Sequence, residues 1–375
     1  MAGIYVHIPF CARRCIYCDF FSTTRPERAD AYIDALLGEC RARLPEMRGE
    51  AVRTLYFGGG TPSLLAVGQW ERLLEGLRRE VDFASLAEVT VEVNPDDITL
   101  EYVEALVALG VNRVSMGVQS FCDSELRLMR RRHDARRAVD AVGAIRRAGI
   151  RNVSIDLIYG IPGQTMETWS HSLSTALRLG VEHISAYCLG YEPGTALTRM
   201  RDDGMLAELP EPTQIAMYYT LIDRLQEAGY EHYEISNFAL PGRQSRHNSA
   251  YWDGTPYLGL GASAHSFDGH CRSWNPADLD RYIAGVTANG RCNNVERMTD
   301  TERYDEYVMI HLRTSRGVDS AQVERLFGEP ARAHLLREAV PHLDAGRLRR
   351  DGDVLRLTRE GLVMCDAVVR DLMGD

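Results

Sequence analysis

The first twenty residues limit the possible folds more than any other stretch. Tyr5-Val6-His7-Ile8-Pro9-Phe10 is an apolar, β-favouring run closed by Pro9, the pattern of a short buried strand. It leads directly into Cys11-Ala12-Arg13-Arg14-Cys15-Ile16-Tyr17-Cys18, three thiols spaced C-x3-C-x2-C on one short loop. A structural zinc site is closed by four ligands, so three thiolates cannot complete one. They can bind three irons of a cubane [4Fe–4S] cluster and leave the fourth open as a Lewis acid for a chelating ligand. Spacing alone also admits half of a zinc site, or ordinary buried thiols.

A chain of 375 residues suits two domains, or one large barrel with an appendage. A net charge of −10 gives no basic footprint, so no nucleic-acid partner is expected. Nine cysteines without a signal peptide point to a reducing cytoplasm rather than a disulfide framework. Cys40, Cys122, Cys188, Cys271, Cys292 and Cys365 are scattered and read as packing thiols. No apolar stretch is long enough to span a bilayer. The chain has no lysine, which excludes both a Walker-A lysine and a Schiff-base lysine.

What recurs along the chain is strand followed by helix. Strands are predicted at Ile4–Ile8, Thr54–Phe57, Glu88–Val93, Arg113–Gly117, Val153–Ile158 and His183–Leu189. Helices are predicted at Pro26–Arg43, Gly68–Glu80, Leu100–Leu109, Ser124–Arg130, Ala135–Ala148 and Met166–Leu179. Six such units imply an α/β fold with a parallel sheet and right-handed crossovers, whose chemistry sits at the carboxyl ends of the strands. The cysteines, Gly58-Gly59-Gly60-Thr61-Pro62, Glu92, Gln119 and Asp156 all fall at such ends. From Glu211 the pattern changes to a helix at Thr213–Ala228, a strand at Glu231–Ile235, and a Gly/Ser/Asn-rich stretch, Gly242–Gly269, expected as irregular loops over a site. After Arg291, helices at Glu302–Arg313, Ala321–Phe327 and Ala331–Ala339 precede a hairpin. Its strands, Leu348–Arg350 and Leu355–Thr358, turn at Asp351-Gly352-Asp353, and a helix at Arg359–Met373 follows. That order looks like a winged helix. Acidic composition and dispersed arginine favour a protein-contact or lid role over DNA.

On these residues the chain resembles the radical S-adenosylmethionine (SAM) superfamily, in which the open iron holds the amino and carboxylate groups of SAM. The implied fold is a partial (β/α)6 barrel over 1–240, an irregular segment and linker over the site at 241–295, and a winged-helix-like α+β module at 296–375. The strand and cysteine loop, the glycine turn, Glu92-Val93-Asn94-Pro95, Ser115–Phe121 and Asp156–Thr165 are also similar to the oxygen-independent coproporphyrinogen III oxidase family, over nearly the whole chain. By position, the resemblance implies that Cys11, Cys15 and Cys18 hold the cluster and that Tyr5 lies near the cluster and SAM. Gly59, Gly60 and Thr61 would meet the SAM amino group, Glu92 and Gln119 its polar groups, Arg131 its carboxylate and Asp156 the ribose hydroxyls. These tasks suit a guanidinium fork and an acceptor carboxylate. Glu92 and Asp156 are equally compatible with a helix N-cap or a solvated strand end. Arg130 stands where related sequences usually have Gly.

Two features separate branches of that family. The oxidases carry a fourth cysteine two positions after the third, where this chain has Cys18-Asp19-Phe20. Arg246-His247-Asn248-Ser249-Ala250-Tyr251-Trp252 matches the H-N-x-x-Y-W motif of an oxidase-like branch regarded as haem chaperones. Imidazole is a standard axial ligand of haem and aromatics stack on porphyrin. The resemblance therefore implies a haem role for His247, with His265 and His270 as further candidate ligands and His7 structural or beside the cluster. The competing reading of His247 is a loop residue capping backbone while Trp252 fills the core. The expected protein is a haem chaperone with a [4Fe–4S] cluster and SAM. It would pass haem to apo-haem acceptor proteins, including respiratory enzymes at a membrane, working in the cytoplasm or at the membrane periphery as a monomer or homodimer. The alternative is an oxidase whose reduced cluster cleaves SAM to a 5′-deoxyadenosyl radical that attacks coproporphyrinogen III propionates. A third reading is a zinc-stabilised binding module. None of the three singles out a catalytic acid, base or nucleophile.

Overall fold

The computed structural model describes residues 2–47 and 49–374. Strands β1 (Ala2–Ile8), β2 (Val52–Gly59), β3 (Glu88–Val93), β4 (Arg113–Gln119), β5 (Val153–Tyr159) and β6 (His183–Cys188) lie side by side in chain order, all parallel. Helices α1 (Ala29–Arg43), α2 (Val67–Arg78), α3 (Leu100–Ala108), α4 (Asp123–Leu128), α5 (Ala135–Arg147) and α6 (Met166–Leu179) return the chain between them. Thr99, Asp134 and Thr165 cap α3, α5 and α6, each side chain accepting from the backbone N–H three residues on. With helices over it, a parallel sheet reads as nearly continuous buried strand. The interruptions in β1, β3, β4 and β5 are Tyr5, Glu92, Gly117, Gln119 and Asp156. Each is a place where the barrel interior opens.

The six units and the parallel partial barrel match the expectation. The sheet stays open: after α7 (Ala196–Asp202) and α8 (Glu211–Glu227), strands β7 (Glu231–Glu234) and β8 (Asn237–Ala239) extend it antiparallel beyond β6. The segment 241–295 differs from the irregular loops expected of it. It forms α9 (Arg246–Tyr251), β9 (Tyr257–Leu260), β10 (His265–Phe267), β11 (Cys271–Trp274), α10 (Leu279–Asn289) and β12 (Asn294–Arg297). Strand β9 pairs parallel with β1, and β10 to β12 continue the same sheet antiparallel. Gly259 and Gly261 serve close packing: a Cβ on Gly259 would strike the backbone of His265, and one on Gly261 the Tyr32 hydroxyl.

A buried ion pair fixes this extension to α1. Arg43 and Glu39 are both fully buried and 3.1 Å apart. Arg43 donates to the Gly259 carbonyl (3.1 Å) and to the hydroxyls of Ser266 (3.1 Å) and Ser273 (3.0 Å). Glu39 accepts from Gly261 N (2.9 Å), Asn275 Nδ2 (2.7 Å) and Tyr282 OH (2.7 Å). Each charge is thus hydrogen-bonded as well as paired, as burial requires.

The C-terminal module has its own apolar core, built on Val308, Leu312, Val323, Leu335 and Leu355. It comprises α11 (Asp300–Leu312), β13 (Val318–Asp319), α12 (Ser320–Phe327), α13 (Glu329–Asp344), β14 (Leu348–Asp351), β15 (Val354–Leu357), α14 (Arg359–Val363) and α15 (Cys365–Leu372). The predicted hairpin forms, with Gly352 at φ +64° in its turn. The predicted last helix is broken at Met364, which leaves helical geometry at φ −101°, ψ 15°. Among the described residues no helix is long and apolar enough to cross a membrane.

Candidate functional site

At the carboxyl ends of β1 to β6 the structure opens into a cavity of about 450 Å³. Cys11, Cys15 and Cys18 border it, as do Gly59, Gly60, Thr61, Glu92, Gln119, Arg131 and Asp156. Residues 145 positions apart in sequence thus meet in one site (Cys11 to Asp156). The cysteine loop is held from both sides. Cys11 N donates to the Thr23 carbonyl (2.8 Å), and Cys11 Sγ lies 3.4 Å from Thr61 Oγ1. Ile16, 2% exposed, anchors the loop in a satellite apolar cluster with Leu126, Met129, Ile158 and Leu197. All three cysteines are unpaired and half-buried. Burial pushes the Cys18 thiol up to about 11 and raises Cys11 as well.

The glycine turn is required by shape. Gly59 has φ +110°, where a Cβ would enter the His7 ring, and a Cβ on Gly60 would come within 2.7 Å of Pro9. Gly59 N donates to Glu92 Oε2 (3.1 Å), and Tyr56 OH donates to Oε1 (2.8 Å). Loss of hydration, with Asp156 close by, nonetheless lifts Glu92 to about 7. Asp156 is lifted the same way to about 6, and its Oδ1 accepts from Ser115 Oγ at 3.4 Å. Gln119 sits at φ +69° beside an irregularity in the β4–β5 register, a costly conformation for a residue with a Cβ.

Arg131 donates from Nη1 to Cys15 Sγ (3.4 Å) and from Nη2 to the Gly117 carbonyl (2.5 Å), while its Nε is buried without a partner. A buried guanidinium N–H left over at a cavity wall fits a carboxylate ligand. Arg130, where the resemblance led to the expectation of Gly, takes a left-handed φ of +56°. The backbone there still has the shape glycine favours.

Two predicted residues lie elsewhere. Tyr5 is absent from this cavity wall. It borders a second cavity of about 490 Å³, and its OH bonds His7 Nδ1 at 3.0 Å. His247, expected as a haem ligand, lies in a buried hydrogen-bond network. It is 1% exposed, with Nδ1 2.8 Å from Thr54 Oγ1 and Nε2 2.8 Å from Tyr251 OH, and its ring stacks on Tyr56 at 5.1 Å. Both nitrogens are hydrogen-bonded to hydroxyls, so a metal could reach the ring only by displacing Thr54 or Tyr251. Its backbone N–H and that of Arg246 donate to the buried Glu88 carboxylate (3.0 and 2.9 Å). The motif therefore pins α9 across β2 and orients Tyr251, while Tyr251 and Trp252 border the second cavity. Sequence reasoning also missed Cys188, an exposed thiol at the end of β6 that lines the first cavity. Its place at a strand end was the available signal.

A parallel partial barrel that delivers three thiols from its first loop, with a glycine turn and a spare guanidinium facing them, is the architecture of a radical SAM protein. The model of the Radical SAM superfamily matches residues 5–176, and that of the HemN C-terminal domain matches residues 298–364. The superfamily implies SAM and a [4Fe–4S] cluster, and the donor set and the orphaned Arg131 N–H fit both. Heme chaperone HemW of Bacillus subtilis (strain 168) is 32% identical across 100% of both chains. Heme chaperone HemW of Mycobacterium tuberculosis (strain ATCC 25618 / H37Rv) is 37% identical, covering 99% of this chain and 95% of its own. The chain belongs to the HemW family. The solved structure of coproporphyrinogen III oxidase (HemN) from Escherichia coli, a radical SAM enzyme, matches with a TM-score of 0.87 at 28% identity, covering 99% of this chain and 90% of that one.

Proposed function

We propose that this chain is a haem chaperone that carries haem to apo-haem proteins, with a [4Fe–4S] cluster and SAM in its first cavity. The full-length likeness to HemW chaperones carries this reading. It is supported by Phe20, 63% exposed, at the position where the oxidases place a fourth cysteine. In this reading Cys11, Cys15 and Cys18 each give one thiolate to the cluster, losing their protons as metal binds. Arg131 takes the SAM carboxylate, Glu92 and Gln119 its polar groups, and Asp156 the ribose hydroxyls. The Gly59-Gly60-Thr61 backbone admits the ligand where side chains would block it. When bound, the cluster supplies a Lewis-acidic iron and a one-electron source. Acceptors are apo-haem proteins, with membrane respiratory enzymes the expected class. The 296–375 module serves as a protein-contact surface or a lid.

One anaerobic, cluster-reconstituted preparation tests this against the oxidase reading that the HemN likeness favours. Added haem should give a Soret band, and coproporphyrinogen III should persist. Absence of the band, or conversion to protoporphyrinogen, would overturn the proposal.

A further inference from the structure

The second cavity lies against the first, and Asp19 and Phe20 line both. Its volume of about 490 Å³ is within the usual range for a ligand pocket, roughly 300–1,000 Å³. Tyr5, Tyr251, Trp252, Tyr257 and Phe267 face it, an aromatic lining suited to a flat conjugated ring. One side is closed by Glu306 and Ile310 of α11, from the C-terminal module.

The floor is the β10–β11 hairpin. His265 pairs with Trp274 and Phe267 with Arg272, so these four side chains share one face, and Ser266 and Ser273 share the other. The serines are held from behind by the buried Arg43. This fixes which residues the hairpin presents to the cavity. His265 is exposed, and among the described residues its imidazole makes no hydrogen bond and has Trp274, 6.2 Å away, as its only ring neighbour. His7, the other histidine on this cavity, has its nitrogens at Tyr5 OH (3.0 Å) and the Phe21 carbonyl (2.9 Å). Partial shelter from water and the nearby Arg272 charge lower the basicity of His265, which keeps a lone pair available near neutrality. Arg272 is ion-paired to Glu306 across the cavity rim.

We propose that this second cavity is the haem site, with His265 as the axial ligand and Arg272 exchanging Glu306 for a haem propionate. This deepens the chaperone reading and rests on it. Haem would sit between the cysteine loop, through Phe20, and the C-terminal module, through Glu306. Both walls of the site therefore belong to parts that could sense the cluster or an acceptor.

The test is haemin titration of the anaerobically reconstituted full chain and of His265→Ala, followed by Soret position and electron paramagnetic resonance (EPR) spin state. Losing the residue bound to iron should cost at least the roughly tenfold that losing a hydrogen-bond partner of a metal ligand costs. His265→Ala should therefore bind haem at least about tenfold more weakly, lose the histidine-ligated spectrum, and recover it on adding free imidazole. His265→Ala that matches wild type in affinity and spectrum would overturn the assignment while leaving the chaperone reading standing. Wild type that binds no haem would overturn both. Arg272→Gln should bind haem with the same ligation and lower affinity, and an altered axial spectrum in that variant would contradict its role.

Discussion

His247→Ala separates a structural pin from a metal ligand. The substitution leaves Thr54 Oγ1, on a residue 5% exposed, without its partner. One unsatisfied buried hydroxyl is worth about 1–3 kcal/mol. It also removes the ring stacked on Tyr56, a contact worth about 0.5–1.5 kcal/mol. The Tyr251 hydroxyl loses its partner too, but that residue borders the second cavity, where water can replace the bond at small cost. The expected loss is about 1.5–4.5 kcal/mol of unfolding free energy, measured by urea denaturation of the apo-protein. Haem affinity should fall only modestly through the loosened Tyr251, and the axial-ligand spectrum should persist. Stability unchanged to within about 0.5 kcal/mol, together with loss of the histidine-ligated spectrum, would refute this reasoning.

Other expectations follow from the same geometry. Burial lowers His7, His133 and His232 to about 4 and His247 to about 3. Below pH 6.5 the unfolded chain therefore binds protons that the native one refuses, and stability falls with pH. Glu92 and Asp156, raised to about 7 and 6, act in the opposite sense. His183, His265 and His311 are lowered too and Glu234 is raised, so the lowered imidazoles outnumber the raised carboxyls and stability falls from pH 7 to pH 5; a urea midpoint as high at pH 5 as at pH 7 would contradict this. Ile16→Ala removes the anchor under the cysteine loop at a cost of roughly 2–5 kcal/mol, and should speed iron loss to a chelator; a wild-type release rate would show that the anchor is dispensable. Arg130→Gly relieves a left-handed backbone and should raise stability by about 1 kcal/mol, with a lower urea midpoint as the contrary result.

The barrel and most of its mouth were legible in the sequence because their signals are local. Apolar strand runs, glycine and proline punctuation, and cap residues each act within a few positions, and strand ends gather the chemistry wherever parallel strands occur. What was not legible depended on contacts distant in sequence. Gly259 and Gly261 look like loop residues, yet they allow strands to approach closely. Glu39 and Arg43 have the spacing of a solvated helical pair, and only the tertiary fold buries them. His247 carries the strongest local haem signal but stacks on Tyr56 with both nitrogens bonded, while His265, a secondary candidate in the sequence, faces a cavity.

EPR of the reduced, anaerobically reconstituted protein, with and without SAM, tests the site most directly. Cys11, Cys15 and Cys18 should hold a full complement of iron and sulfide for one cubane, and adding SAM should shift the signal as its amino and carboxylate groups reach the open iron. A signal indifferent to SAM, or a colourless protein whose thiols hold only zinc, would contradict the account.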